Sequence, residues 1–206
     1  MMKRLLAILL LFGAFALRAE EGELQFHIGG GGYFPLSLST DDKTVVVLAS
    51  WNASASTYFG FTDNFDLGVS YSVTYMQDIY FKTTFNSIEG KEYFNYLSNK
   101  LQLFARYNVY PGYAFSPHVI VGGGMLIETY RERAFLNKND LVISDFDGAD
   151  YAKVRPCVSG GFDVQYRAWE WLLLSLQTVF TWSPNTMHIE TNFYLGATWF
   201  VKSYYF

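Results

Sequence analysis

Residues 45–61 alternate with a period of two throughout, and neither side of the alternation is charged. Val45, Val47, Ala49, Trp51, Ala53, Ala55, Thr57 and Phe59 share one side, and Val46, Leu48, Ser50, Asn52, Ser54, Ser56 and Tyr58 the other. Successive side chains of a strand point to opposite faces. The pattern therefore predicts a strand with one apolar face and one face dominated by short, uncharged polar groups. A face washed by bulk water usually carries Lys and Glu. Ser and Asn instead suit the crowded polar interior of a barrel whose outside is apolar.

The same two-sidedness returns at about 24–34, 65–76, 99–110, 118–131, 151–166, 171–182 and 188–201. Leu101, Leu103, Ala105, Tyr107 and Val109, for example, oppose Lys100, Gln102, Phe104, Arg106 and Asn108. Each segment reaches the roughly 9–11 residues that a tilted strand needs to cross a bilayer. The links at 62–64, 111–117 and 167–170 are short, whereas those at 35–44, 77–98, 134–150 and 183–187 are mostly longer. Outer-membrane barrels combine short periplasmic turns with longer outer loops in this way. The expected fold is all-β: an eight-stranded antiparallel transmembrane β-barrel, an up-and-down meander with both chain ends on the periplasmic side. Tyr107, Tyr110, Tyr166 and Trp199 then fall near the periplasmic interface, and Trp51, Tyr75 and Trp182 near the outer one, as an aromatic girdle requires. A soluble lipocalin-like barrel would turn the apolar set inward. The weak charge on both faces and the alternation of connectors favour the membrane reading. Composition agrees, with 19% aromatic and 17% charged residues against about 25% charged in ordinary soluble domains.

Residues 1–19 read as a signal peptide. Lys3 and Arg4 open it, an apolar run fills 5–17, and Ala19 precedes the acidic pair Glu20-Glu21. The run is shorter than the roughly 20 residues of a membrane-spanning helix, which disfavours an uncleaved anchor. The barrel domain is then 20–206. Losing Lys3, Arg4 and Arg18 reduces the fifteen basic residues to twelve against nineteen acidic ones, a net charge of −7. Nucleic acid is excluded as a partner on that ground, because phosphate binding needs a basic face. The only cysteine, Cys157, leaves no intramolecular disulfide. Closing a barrel in lipid supplies the alternative source of stability, since every backbone donor and acceptor finds a partner.

The inward set carries the charges: Lys100, Arg106, Glu128, Lys153, Arg155, Asp163 and Glu190. Side chains just fill the interior of an eight-stranded barrel, and buried charges must pair or stay wet. Two readings follow, a narrow ionic path and a salt-bridge plug, and the plug is favoured. The run Gly29-Gly30-Gly31-Gly32 lacks the Lys-Ser/Thr and the helix of a phosphate loop; it suits tight curvature or room for large neighbours. None of His27, His118 and His188 is followed two places later by Ser, as a lipid A deacylase motif of the His-x-Ser kind requires, and no catalytic residue is assigned. His188-Ile189-Glu190 places a histidine and a carboxylate on one face, at the lumen or loop side. Asp145-Phe146-Asp147-Gly148-Ala149-Asp150 has the flavour of a calcium loop but lacks its terminal Glu, so a solvated loop is the better reading and neither metal nor cofactor is expected. The aromatics of 77–98, including Tyr80, Phe81, Phe85, Tyr93, Phe94 and Tyr96, suggest a binding surface, a cover over the barrel mouth or an extension of strands above the membrane.

The segment Gly196-Ala197-Thr198-Trp199-Phe200-Val201 resembles the assembly signal of bacterial outer-membrane barrels, a glycine followed by hydrophobic residues three and five places on. Trp199 and Val201 fill those places, and Phe206 is a common last residue of such proteins; either Val201 or Phe206 marks the functional end. In architecture the whole mature chain resembles the small eight-stranded outer-membrane barrels, the OmpW, OmpX and OmpA-barrel group. The resemblance implies an integral outer-membrane location, outer-membrane lipid as surroundings, and periplasmic chaperones and the barrel-assembly machinery as biogenesis partners. With no catalytic constellation in the residues, the expected role is non-enzymatic: envelope integrity or, as OmpW-like members imply, passage of small hydrophobic solutes, with surface adhesion through the outer loops, as OmpX-like members imply, as the alternative.

Overall fold

The computed structural model describes residues 23–37, 49–62, 64–85, 87–110, 113–137, 139, 142–145, 151–184 and 188–202. The signal-peptide segment, Phe206 and the strand start at 45–48 lie outside this set. The described elements are β1 (Glu23–Gly31), β2 (Tyr33–Ser37), β3 (Ala49–Thr62), β4 (Phe65–Phe85), β5 (Ile88–Asn108), β6 (Phe115–Asn137), β7 (Val142–Asp145), β8 (Tyr151–Trp169), β9 (Leu172–Trp182) and β10 (His188–Lys202). The strands pair antiparallel in the order β1, β3, β4, β5, β6, β8, β9 and β10, and β10 pairs back to β1, closing the ring. β1 and β2 face β10 in one unbroken register and form a single stave interrupted at Gly32. β7 extends the sheet beside the far end of β6. The result is a closed, eight-stave, up-and-down barrel.

The size of this barrel follows from its register. Leu24 pairs with Phe59, which pairs with Leu67, and the path continues through Ala105, Val121, Gly160, Phe180 and Thr191 to Phe34. One circuit thus returns to the first stave ten residues farther on. With a rise of about 3.3 Å per residue and strands about 4.8 Å apart, that stagger fixes a tilt of roughly 40° and a backbone radius of roughly 8 Å. Such a cylinder has room for side chains and little else.

The stagger is even, so each circuit preserves the in–out alternation. Asn52, Ser54, Ser56 and Tyr58 are buried, while Trp51, Ala53 and Ala55 between them are exposed. Leu101, Leu103, Val121, Val158, Phe162, Leu174, Leu176 and Leu195 are all exposed on the outside. In water, each would carry an unfavourable free energy of about 25 cal/mol per Å² of apolar surface, and an apolar belt around a whole molecule far exceeds the patches of soluble monomers. In hydrocarbon that cost vanishes. Along β4 the outer face runs from Phe65 to Tyr75. Ten residues at this tilt span about 25 Å, the height of the apolar band of outer-membrane barrels.

Glycine lets the interior close. The ring of Phe104 lies across Gly122 on the next stave, where a Cβ would come within 2.3 Å of it. At Gly31 a Cβ would meet the Phe193 carbonyl oxygen at 2.0 Å, so the first stave approaches β10 there more closely than any side chain permits. The glycine run therefore serves close approach.

Two connectors carry strand among their described residues, and in the first the extension of strands offered as one reading of 77–98 is what is found. Residues 77–98 continue β4 and β5 as a hairpin to the pair Phe85–Ile88. Ser87 at its tip has φ 65°, the left-handed conformation that two-residue hairpin turns demand and that glycine usually supplies. Register shifts between Met76 and Ile79 and between Tyr93 and Phe94 mark where the barrel wall becomes a raised sheet; each changes the phase of the alternation. β6 likewise continues to Asn137, with β7 paired to it inside the expected 134–150 loop. The first stave reaches Ser37, beyond the expected end near 34.

Candidate functional site

The lumen is organised in levels. At the end of the barrel that carries the short turns, Arg106 of β5 is 1% exposed and gathers partners from four other staves. Its Nε donates to Asp66 Oδ2 at 2.8 Å, its Nη2 bonds Gln25, and its Nη1 lies 3.6 Å from Asp163 Oδ2. The guanidinium carbon sits 4.2 Å from the centroid of the Tyr58 ring, within cation–π range. Gln165 donates to Asp163 at 2.7 Å. His27 and His118 are buried at the same end; His27 Nδ1 is 3.0 Å from the Thr198 hydroxyl.

Next comes an apolar and aromatic belt. Tyr58, Phe104, Ile120, Val179 and Tyr194 are all buried and in mutual contact. The alternation does not predict this belt, because Phe104, Ile120 and Val179 interrupt otherwise polar inward rows. The signal lies in those interruptions, which fall at one level once the register is known.

The outer level is a second ionic layer. Lys100 of β5 pairs with Glu190 of β10, the fourth and eighth staves of eight, so the bridge crosses the barrel diameter. Tyr96 donates its hydroxyl to Glu190 at 2.7 Å, with Glu128 3.2 Å away as a second acceptor. Arg155 Nε lies 2.9 Å from Glu128, and its Nη1 donates to the Pro184 carbonyl at 3.0 Å. Asn192 accepts from Asn52 at 3.1 Å and from Thr74 at 3.0 Å. Lys153, expected inward, is exposed at the outer rim, two residues beyond Arg155. The other six charged positions take part in these two ionic layers.

On the outside, Trp51 and Tyr75 stand with ring centroids 5.9 Å apart, and Trp182 is exposed at the same edge. Tyr107, Tyr110 and Tyr166 are exposed at the edge of the short turns, where Trp199 is half-buried. Turn residues add to that edge: Trp169 and Trp171 stack at 6.1 Å with their planes 17° apart. They flank a tight turn, where alternation gives no guide. Gly196 pairs with Gly29 and Trp199 with Phe26, and the Val201 backbone pairs with Leu24, so the suspected assembly segment forms the closing seam. Among the described residues no three of His, Cys, Asp and Glu are grouped to hold a metal ion.

The braced lumen is filled by side chains, and the exposed apolar wall faces outward. Beyond that wall stands the raised sheet of β4, β5, β6 and β7. Sequence comparison finds no matching family model and no matching curated protein. Solved structures do match. Ail, the attachment invasion locus protein of Yersinia pestis, solved with the heparin analogue sucrose octasulfate, is 12% identical with a TM-score of 0.55, over 88% of this chain and 99% of that one. A major outer membrane protein of Thermus thermophilus is 10% identical with a TM-score of 0.56, over 87% and 99%. The N-terminal β-barrel domain of Pseudomonas aeruginosa OprF is 14% identical with a TM-score of 0.50, over 88% and 98%. The chain thus has the fold of the small eight-stranded outer-membrane β-barrels.

Proposed function

We propose that the protein is exported through its N-terminal signal peptide and resides in the outer membrane as a non-enzymatic, non-conducting barrel that acts through its raised outer sheet. The observation that carries this reading is the continued pairing of β4 with β5 from Tyr75 to the Phe85–Ile88 tip, ten residues beyond the outer girdle. Ordered backbone that far above the apolar band serves no spanning purpose. The braced lumen supports the same reading, since passage along the axis would require breaking a diametric ion pair and parting an aromatic belt. Passage of small hydrophobic solutes is less well supported, because the lumen offers an apolar solute charged layers at both ends.

In the raised sheet Glu89, Glu92, Glu132 and Asp145 are matched by Lys82, Lys91, Arg131 and Arg133. This balance favours a partner of mixed charge over a strongly anionic or strongly cationic one. The test is deletion of 79–94 with a short turn in its place. The shortened protein is expected to fold and migrate as a heat-modifiable barrel while losing adhesion to cells or envelope components by more than tenfold. Adhesion equal to that of the full chain would refute the reading.

A further inference from the structure

Asn99 is a polar residue on the apolar outer wall. It stands on β5 between the buried Ser98 and Lys100, so it shares the outward face with Leu101, Leu103 and Tyr107, and it is half-exposed there. Its register partners on the neighbouring staves are Val73 and Ile127. The outward positions run from Phe65 to Tyr75 on β4, from Leu97 to Tyr107 on β5 and from Val119 to Ile127 on β6, and Asn99 is the one amide among them. Hydrocarbon offers an amide no hydrogen-bond partner, so one on that wall must find its partners elsewhere.

Half of this amide is satisfied within the wall. Tyr71 pairs with Leu101, reaches diagonally to the next position of β5, and donates its hydroxyl to Asn99 Oδ1 at 2.7 Å. That bond holds the carbonyl end of the amide toward β4. The other end, Nδ2, has no hydrogen-bond partner among the described residues. Unlike the unpartnered polar atoms of the lumen, it is not sealed inside the protein.

Depth decides what can meet it. Leu97 pairs with Tyr75 of the outer girdle. Asn99 lies two residues from Leu97 toward the midplane, about 5 Å along the axis at roughly 3.3 Å per residue and a tilt of roughly 40°. Girdle aromatics sit at headgroup level, so Asn99 stands at the boundary between headgroups and acyl chains. The acceptors at that boundary are the carbonyl groups that join each chain to its headgroup. Leu101 and Met125, both exposed, continue the wall toward the midplane.

We propose that Tyr71 and Asn99 form a lipid-binding site on the barrel wall: the Asn99 NH2 donates to the carbonyl at the head of a lipid acyl chain, whose methylenes lie over Leu101 and Met125. Tyr71 is a positioning residue, because its bond turns the donor end of the amide away from β4. The site rests on the membrane residence proposed above. It holds a lipid at the foot of the raised sheet, since β4 and β5, which carry the pair, are strands that rise above the girdle.

The test is solution NMR of the full-length mature protein with asparagine side-chain amides and leucine methyl groups labelled. Nanodiscs of a diacyl phosphatidylcholine are compared with nanodiscs of its dialkyl ether analogue of equal chain length, which lacks only the carbonyls. In the ester lipid, Asn99 NH2 is expected to show cross-peaks to the methylene beside the acyl carbonyl and a downfield proton shift that disappears in the ether lipid. The lumenal Asn192 amide should be the same in both, and Asn99→Leu identifies the signal. An Asn99 amide identical in the two lipids would overturn the site, as would cross-peaks to water alone. Cross-peaks to a second copy in a mixed-label sample would overturn it too, by making this wall a dimer contact. Leu103 methyl contacts with acyl chains check the membrane reading separately. With those present, a missing Asn99 contact refutes the lipid site alone; with those absent, the membrane residence itself fails.

Discussion

Arg106 and Lys100 show how a single residue governs the interior. Each is 1% exposed and shut off from bulk water, so each relies on carboxylates held by other staves. Taking away one member of a buried pair strands the other, at about 3–5 kcal/mol, whereas replacing both by apolar groups of similar volume is often neutral or stabilising. Lys100→Met alone is therefore expected to destabilise the barrel by about 3–5 kcal/mol in urea unfolding from lipid vesicles. Lys100→Met with Glu190→Met should recover most of that loss. Equal destabilisation of single and double variants would show that the pair is not the brace described. The charged residues themselves were legible in sequence, because alternation assigns each to the inward face. Their partners were not. Lys100 meets Glu190, ninety positions away, only because a ten-residue stagger brings those levels together, and no local pattern encodes the stagger. Lys153 continues the inward alternation but lies beyond the filled lumen; periodicity gives a direction and not a height.

At the scale of the element, the outward face of each strand is set by hydrocarbon. Leu103 is 57% exposed in the middle of β5, between the outer girdle and Tyr107. Leu103→Arg is expected to cost about 2–4 kcal/mol in lipid, as arginine does near the midplane of such barrels. In a soluble barrel the same exposed position would tolerate arginine at little cost, so near-neutrality would contradict the orientation. Packing across the wall makes a second demand. Gly122→Val would drive a branched side chain into the Phe104 ring, and destabilisation by at least about 1–3 kcal/mol is expected, read by the same unfolding assay. The spanning parts of the strands were legible because their two environments differ so sharply. The raised hairpin was legible only as one of three readings of 77–98, for physical reasons visible in three places. The shifts at Met76–Ile79 and Tyr93–Phe94 reset the alternation, and Ser87 fills a turn position where glycine would have announced a hairpin.

The whole molecule is an inverted globule: polar and ionic within, apolar without, and closed so that no strand edge meets lipid. Two ionic layers and the aromatic belt between them obstruct the axis. In planar bilayers the protein is expected to show small or no conductance; a large, stable conductance like that of a general porin would contradict the braced lumen. The central claim is that the chain folds as this closed barrel in the outer membrane. Gel migration of unheated and heated protein from purified outer membranes tests it most directly. The account predicts recovery in the outer-membrane fraction, with a compact, SDS-resistant form before boiling that shifts on heating. Recovery as a soluble periplasmic protein with identical migration before and after heating would contradict it.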